Sequence, residues 1–171
     1  MRNVIIILIL YLIICNIIYC EYSSDVSLEN IEVEKMEDYV CKECDKIEIN
    51  SIKDILEYLS NNIQYKDEKN DYWQLPEETI TKGTGDCEDF CILFMYLLKN
   101  KLEIENSLTL IKPNKKTVHT VVYYSNQYSD PTMYNGFMNI YVPDSHILWK
   151  SSYEEVMWMT YNYHDNIGKY R

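Results

Sequence analysis

The sequence predicts an α+β domain in which helices come first and an antiparallel sheet follows. Three observations carry this. After Cys87, apolar residues recur at Phe90, Cys91, Phe94, Leu97 and Leu98, the three- and four-residue steps of a helix with one face on a core. The run Thr117-Val118-His119-Thr120-Val121-Val122-Tyr123-Tyr124 is β-branched and aromatic, the composition of a strand. Directly after it, Ser125-Asn126 can reverse the chain as a two-residue hairpin turn, because Asn tolerates the left-handed conformation. Helices segregated from a hairpin-built sheet give the α+β layering.

In chain order, Met1 to Cys20 has one charged residue, Arg2, and then an almost unbroken apolar run from Val4 to Tyr19. Its length falls between a signal-peptide core and a full membrane span, so residues 1–20 are read as a signal peptide or a membrane or lipid anchor. Export to the periplasm, the cell envelope or the medium follows as the expected localisation. Residues 21–48 are acidic and aperiodic, an N-terminal arm, with the main domain over residues 49–171. Within the arm, Cys41-Lys42-Glu43-Cys44 admits a local disulfide, a redox motif or half of a metal site, Cys87 and Cys91 being the formal second pair for zinc. Ser51 caps a helix from Ile52 to about Asn61, and Lys66 to Asp71 is a solvated loop. Beyond the cysteine helix, strands are expected at Leu108 to Ile111, Thr117 to Tyr124, Tyr128 to Ser129, Asn139 to Val142 and Ile147 to Trp149. A last helix starts at Ser151 or Ser152 and runs to about Tyr161.

The chemistry concentrates at Gly83-Thr84-Gly85-Asp86-Cys87-Glu88-Asp89. The glycines let the chain turn sharply, Asp86 is a good N-cap, and Asp89 three residues on approximates a capping box. Cys87 then opens the helix, where the partial positive charge of the N-terminus favours thiolate. Asp86, Glu88 and Asp89 oppose that, so a basic partner is required. Of His119, His146 and His164, His119 is the one on a predicted strand. With the turn at Ser125-Asn126, Tyr124 faces Gln127 and Val121 faces Asp130, which sets Asp130 diagonally across from His119. A turn one residue later moves Asp130 roughly 13 Å along the strand from His119, at about 3.4 Å per residue.

The pattern Trp73-x-x-Pro76-x-Glu78-Thr79, then Gly83-x-Gly85-Asp86-Cys87-Glu88-Asp89, with His119 and Asp130-Pro131-Thr132 downstream, resembles the transglutaminase-like superfamily. Within it the chain is most similar to the bacterial transglutaminase-like cysteine peptidases, over about Ile52 to Thr132. The resemblance implies a papain-like core, a Cys-His-Asp triad on Cys87, His119 and Asp130, and an acyl-enzyme. Some bacterial relatives of this arrangement bind calcium, which makes Asp86, Glu88 and Asp89 candidate ligands; no other cofactor is implied.

The formal net charge of −11 and the absence of a basic stripe exclude nucleic acid as a partner. A protein or peptide substrate is expected, processed by a cysteine peptidase or amidase. The alternatives are an acyl-transferring enzyme (transglutaminase or deamidase) and a non-catalytic binding or scaffold module that keeps the fold.

Overall fold

The computed structural model describes residues 39–67, 72–115, 117–133 and 139–167, with side chains up to Asn162 in the last helix. The chain divides into two units, Met1–Glu34 and Lys35–Arg171, and the first lies outside the described residues together with the expected signal or anchor. The second unit is built around one helix. That helix, α4 (Cys87–Leu102), is preceded by α1 (Lys42–Asp45), α2 (Ile52–Asn62), β1 (Gln64–Tyr65), α3 (Pro76–Lys82) and β2 (Thr84–Gly85). It is followed by β3 (Asn106–Ile111), β4 (His119–Tyr124), β5 (Gln127–Ser129), a 3-10 turn at Asp144–His146, β6 (Ile147–Ser152) and α5 (Tyr153–Ile167).

Every residue of α4 from Asp89 to Leu98 is buried. The expected stripe is present but incomplete as a description. Ile92, Leu93, Met95 and Tyr96, on the other faces, are covered as well, because β3 and β4 pack on one side of the helix and α2, α3 and α5 on the others. A helix enclosed in this way is apolar all round rather than amphipathic. Burying a leucine or phenylalanine side chain contributes about 1.5–3 kcal/mol, so this helix, buried from Asp89 to Leu98, is a major part of the apolar core of the unit.

The four-stranded sheet has the order β5-β4-β3-β6, and all its pairings are antiparallel. Ser125 (φ 46°) and Asn126 (φ 63°) are both left-handed, the geometry of a type I′ turn, whose twist matches the strands it joins. The hairpin register is Tyr124 to Gln127, Tyr123 to Tyr128 and Val122 to Ser129, the first of the two alternatives above. The expected strand at Asn139 to Val142 reduces to a single bridge between Ile140 and Tyr128. In its place Ile140 and Val142 cover Ile111 and Val121 on the sheet face turned away from α4.

Two features upstream of α4 were not expected. Helix α3 begins at Pro76 and ends at Gly83, whose φ of +64° supplies the left-handed cap. Its first turn is tied by Glu78, which accepts from the Leu75 N–H at 3.1 Å and the Tyr72 hydroxyl at 2.8 Å. Strands β1 and β2 then form a short parallel pair. The arm expected over residues 21–48 enters the described residues at Tyr39. From Tyr39 the chain is packed, with Cys41 and Cys44 fully buried and disulfide-bonded. The Cys41 N–H donates to the Tyr96 hydroxyl at 3.0 Å, which fixes the segment to α4. Of the three readings of the CxxC pair, the disulfide is the one observed.

Candidate active site

Cys87 is the first residue of α4, with Asp86 as N-cap in extended conformation. Intrahelical bonding resumes at the Phe90 N–H, which donates to the Asp86 carbonyl at 3.1 Å, so the first-turn N–H groups point out of the helix end. The Cys87 thiol is partly exposed and donates to Glu88 Oε2 at 3.0 Å. The imidazole of His119 is close enough to Cys87 for the two side chains to influence each other's charge.

His119 opens β4, opposite Ile111 of β3, and is held on a paired strand rather than a loop. Its Nε2 lies 2.7 Å from Asp130 Oδ2, which leaves Nδ1 as the nitrogen for the thiol. Asp130 follows β5 and is 2 % exposed. Its other oxygen accepts from the Thr132 N–H at 3.0 Å and the Thr132 hydroxyl at 2.6 Å. The Asp130 hydrogen bond, with the Cys87 side chain second, pushes the His119 pKa up to about 10 against the opposing effect of burial. For Asp130, burial acts upward, yet the hydrogen bonds from His119 and Thr132 outweigh it and hold the carboxyl below its ordinary value. An imidazolium beside the Asp130 carboxylate is the state of His119 that this environment favours.

Asp89 does something other than capping alone. It is fully buried, and its oxygens accept from the Gln74 N–H at 2.7 Å, Gln74 Nε2 at 2.8 Å and the Asp86 N–H at 3.1 Å. The last of these is the reciprocal bond expected of a capping box. The other two tie the entry segment at Gln74 to the helix start, and Gln74 Nε2 also donates to the Thr84 carbonyl at 3.3 Å. Gln74 therefore has its amide committed to positioning Asp89. Gly85 is explained by the same carboxylate. A Cβ there would stand 2.6 Å from Asp89 Cβ and 2.8 Å from Oδ2, so this glycine permits close approach, while Gly83 provides the turn.

The three acids read as calcium ligands do not converge. Asp89 is engaged as described, and among the described residues no group of three or more His, Cys, Asp or Glu is arranged to hold a metal. Asp86 and Glu88 remain beside Cys87, short of the roughly six to eight oxygens that calcium takes. Cys91, one turn further along α4, is fully buried, and burial pushes its thiol well above the ordinary value. It is a core residue, and with Cys41 and Cys44 disulfide-bonded the formal zinc set does not exist. Sequence reasoning missed the anchoring of Asp89 by Gln74 and of Asp130 by Thr132.

The sequence pattern of the transglutaminase-like domain matches residues 32–128, more than half of the chain, taking in Cys87 and His119 and stopping just before Asp130. Among solved structures, the chain is similar to a candidate cysteine protease from Cytophaga hutchinsonii, at 22 % identity and a TM-score of 0.41, over 70 % of this chain and 43 % of that one. It is similar to calcium-bound LapG of Legionella pneumophila at 17 % identity and a TM-score of 0.45, over 71 % and 84 % of the two chains. A further LapG structure from the same organism gives 20 % identity and a TM-score of 0.38, over 60 % and 74 %. The chain thus spans less than half the length of the Cytophaga protein. No curated protein matches it. With a helix-start cysteine, an antiparallel sheet that carries the histidine, and a domain match across both, the chain belongs to the transglutaminase-like family.

Proposed function

We propose that the protein is a cysteine peptidase or amidase in which Cys87 is the nucleophile, His119 the acid–base group and Asp130 the residue that orients it. One arrangement carries the reading: His119 is held on a strand by Asp130 at 2.7 Å while its ring lies within interacting reach of Cys87. The thiolate attacks a carbonyl carbon, and the imidazolium gives its Nδ1 proton to the departing amine. Nε2–H stays on Asp130, which fixes the tautomer and balances the charge. The oxyanion forms at the N-terminus of α4, against the Cys87 and Glu88 N–H groups that precede the Asp89 capping bond. Water, deprotonated by the now neutral imidazole, then releases the acid from the acyl-enzyme.

The substrate class is a protein or peptide, since the formal net charge of −11 disfavours nucleic acid. Export is part of the proposal. The buried Cys41–Cys44 disulfide supports an oxidising compartment, and the apolar run from Val4 to Tyr19 supports a signal or an anchor. The test is acylation by p-nitrophenyl acetate, read by intact mass and peptide mapping. The expected result is a thioester on Cys87, absent from Cys87→Ala and slow to form in His119→Ala. Adducts on lysines alone, with Cys87 untouched, would refute the proposal.

A further inference from the structure

We propose that Tyr65 is the acyl-side wall of the substrate cleft, and that the peptide residue immediately before the scissile bond carries a bulky apolar side chain that packs on its ring. This rests on the thiol-enzyme reading above. Tyr65 lies on β1 with Gly85 as its register partner, two residues before Cys87. Its backbone is fixed on both sides: the Gln64 N–H donates to the Gly83 carbonyl at 2.8 Å and the Lys66 N–H to the Gly85 carbonyl at 2.9 Å.

The ring leans on Phe90, which is three residues after Cys87 on α4, with centroids 6.1 Å apart and planes at 42°. Phe90 is 3 % exposed and Tyr65 45 % exposed, so one ring belongs to the core and the other presents a face to solvent beside the nucleophile. The phenol lies within electrostatic reach of Asp67, Cys87 and Asp86. A ring fixed at its backbone and packed on Phe90 offers contact area with little ordering cost.

The side of the cleft follows from the chemistry. The leaving amine has to meet the His119 proton, and His119 belongs to the four-stranded sheet. Tyr65 is on the separate two-stranded sheet that abuts the first turn of α4, so it borders the part of the cleft left to the acyl group. Asp67 and Asp86 beside the ring disfavour an acidic residue there.

The experiment compares two N-acylated dipeptidyl vinyl sulfones that differ only in the residue next to the warhead, Phe against Gly. Iodoacetamide is the reagent too small to reach a subsite. The thiolate of Cys87 adds to the vinyl carbon and the resulting carbanion takes the imidazolium proton, so no leaving group complicates the rate. The wild type is expected to react with the Phe probe about tenfold faster than with the Gly probe. Tyr65→Ala should remove that preference while the Gly-probe and iodoacetamide rates stay within about twofold, and Tyr65→Phe should restore it. No Phe preference in the wild type would overturn the proposal, as would an equal slowing of all three reagents by Tyr65→Ala, which marks a loss of structure. Cys87 inert towards all three in the wild type would instead sink the thiol-enzyme reading, and this one with it.

Discussion

Replacing Asp89 by Ala tests whether the helix that begins at Cys87 is anchored by a buried carboxylate. The substitution removes the acceptor for the Gln74 N–H, Gln74 Nε2 and the Asp86 N–H. Each buried donor left unmatched costs about 1–3 kcal/mol. Gln74 Nε2 keeps the Thr84 carbonyl, and water entering the vacated space relieves part of the rest. The net loss is therefore about 3–5 kcal/mol out of the roughly 5–15 that a domain of this size has. At about 3 °C per kcal/mol the melting temperature falls by about 10–15 °C. Thermal and urea unfolding of Asp89→Ala, Gln74→Ala and the double variant give the assay. The double variant should lose little more than Asp89→Ala alone, a coupling of about 1.5–3 kcal/mol. A loss under about 1 kcal/mol, or strict additivity, would refute the anchoring argument.

Three further outcomes follow from the same geometry. Because the His119 pKa is raised from 6.5 to about 10, its stabilising contribution is full below pH 6.5 and fades as pH rises towards 10. The lowered Asp130 contributes above its ordinary 3.8 and loses that contribution as pH falls further. The melting-temperature gap between wild type and His119→Gln should thus be wider at pH 6 than at pH 9.5, and a constant gap would contradict the ion pair. Reducing Cys41–Cys44, or replacing both by Ala, should cost about 2 kcal/mol by loop closure, read by urea unfolding with and without reductant. Millimolar calcium should leave the melting temperature unchanged; a rise that Asp86→Asn abolishes would show a site completed by ligands beyond the described residues.

The parts of this structure legible in the sequence are those set by local chemistry. Asp86 before Cys87 marks a helix start whatever surrounds it, and Ser125-Asn126 selects a turn whose length fixes the hairpin register. Helix α3 was missed because seven residues are too few to show a period, and only Pro76 and Gly83 announce its ends. Strand β6 runs to Ser152 through Lys150 and Ser151, poor strand formers that pairing with Thr109 and Leu108 overrides. The packing of Cys41 and Cys44 was hidden by their acidic surroundings, which resemble a solvated arm. The capping role of Asp89 was legible, but its burial was not, because nothing local reveals the glutamine that covers it. The Gly85-to-Asp89 spacing was the available clue, since a glycine one turn away leaves room for a carboxylate.

The central claim is that Cys87 and His119 form one activated pair. It is tested most directly by the iodoacetamide alkylation rate of Cys87 from pH 5 to pH 9, resolved by peptide mapping from Cys91 and from the disulfide cysteines, in wild type and in His119→Ala. The account predicts that at pH 6 Cys87 reacts far faster than a free thiol of pKa about 8.5, and that His119→Ala lowers this rate about tenfold or more. A Cys87 that reacts like a free thiol and takes no notice of His119 would contradict it.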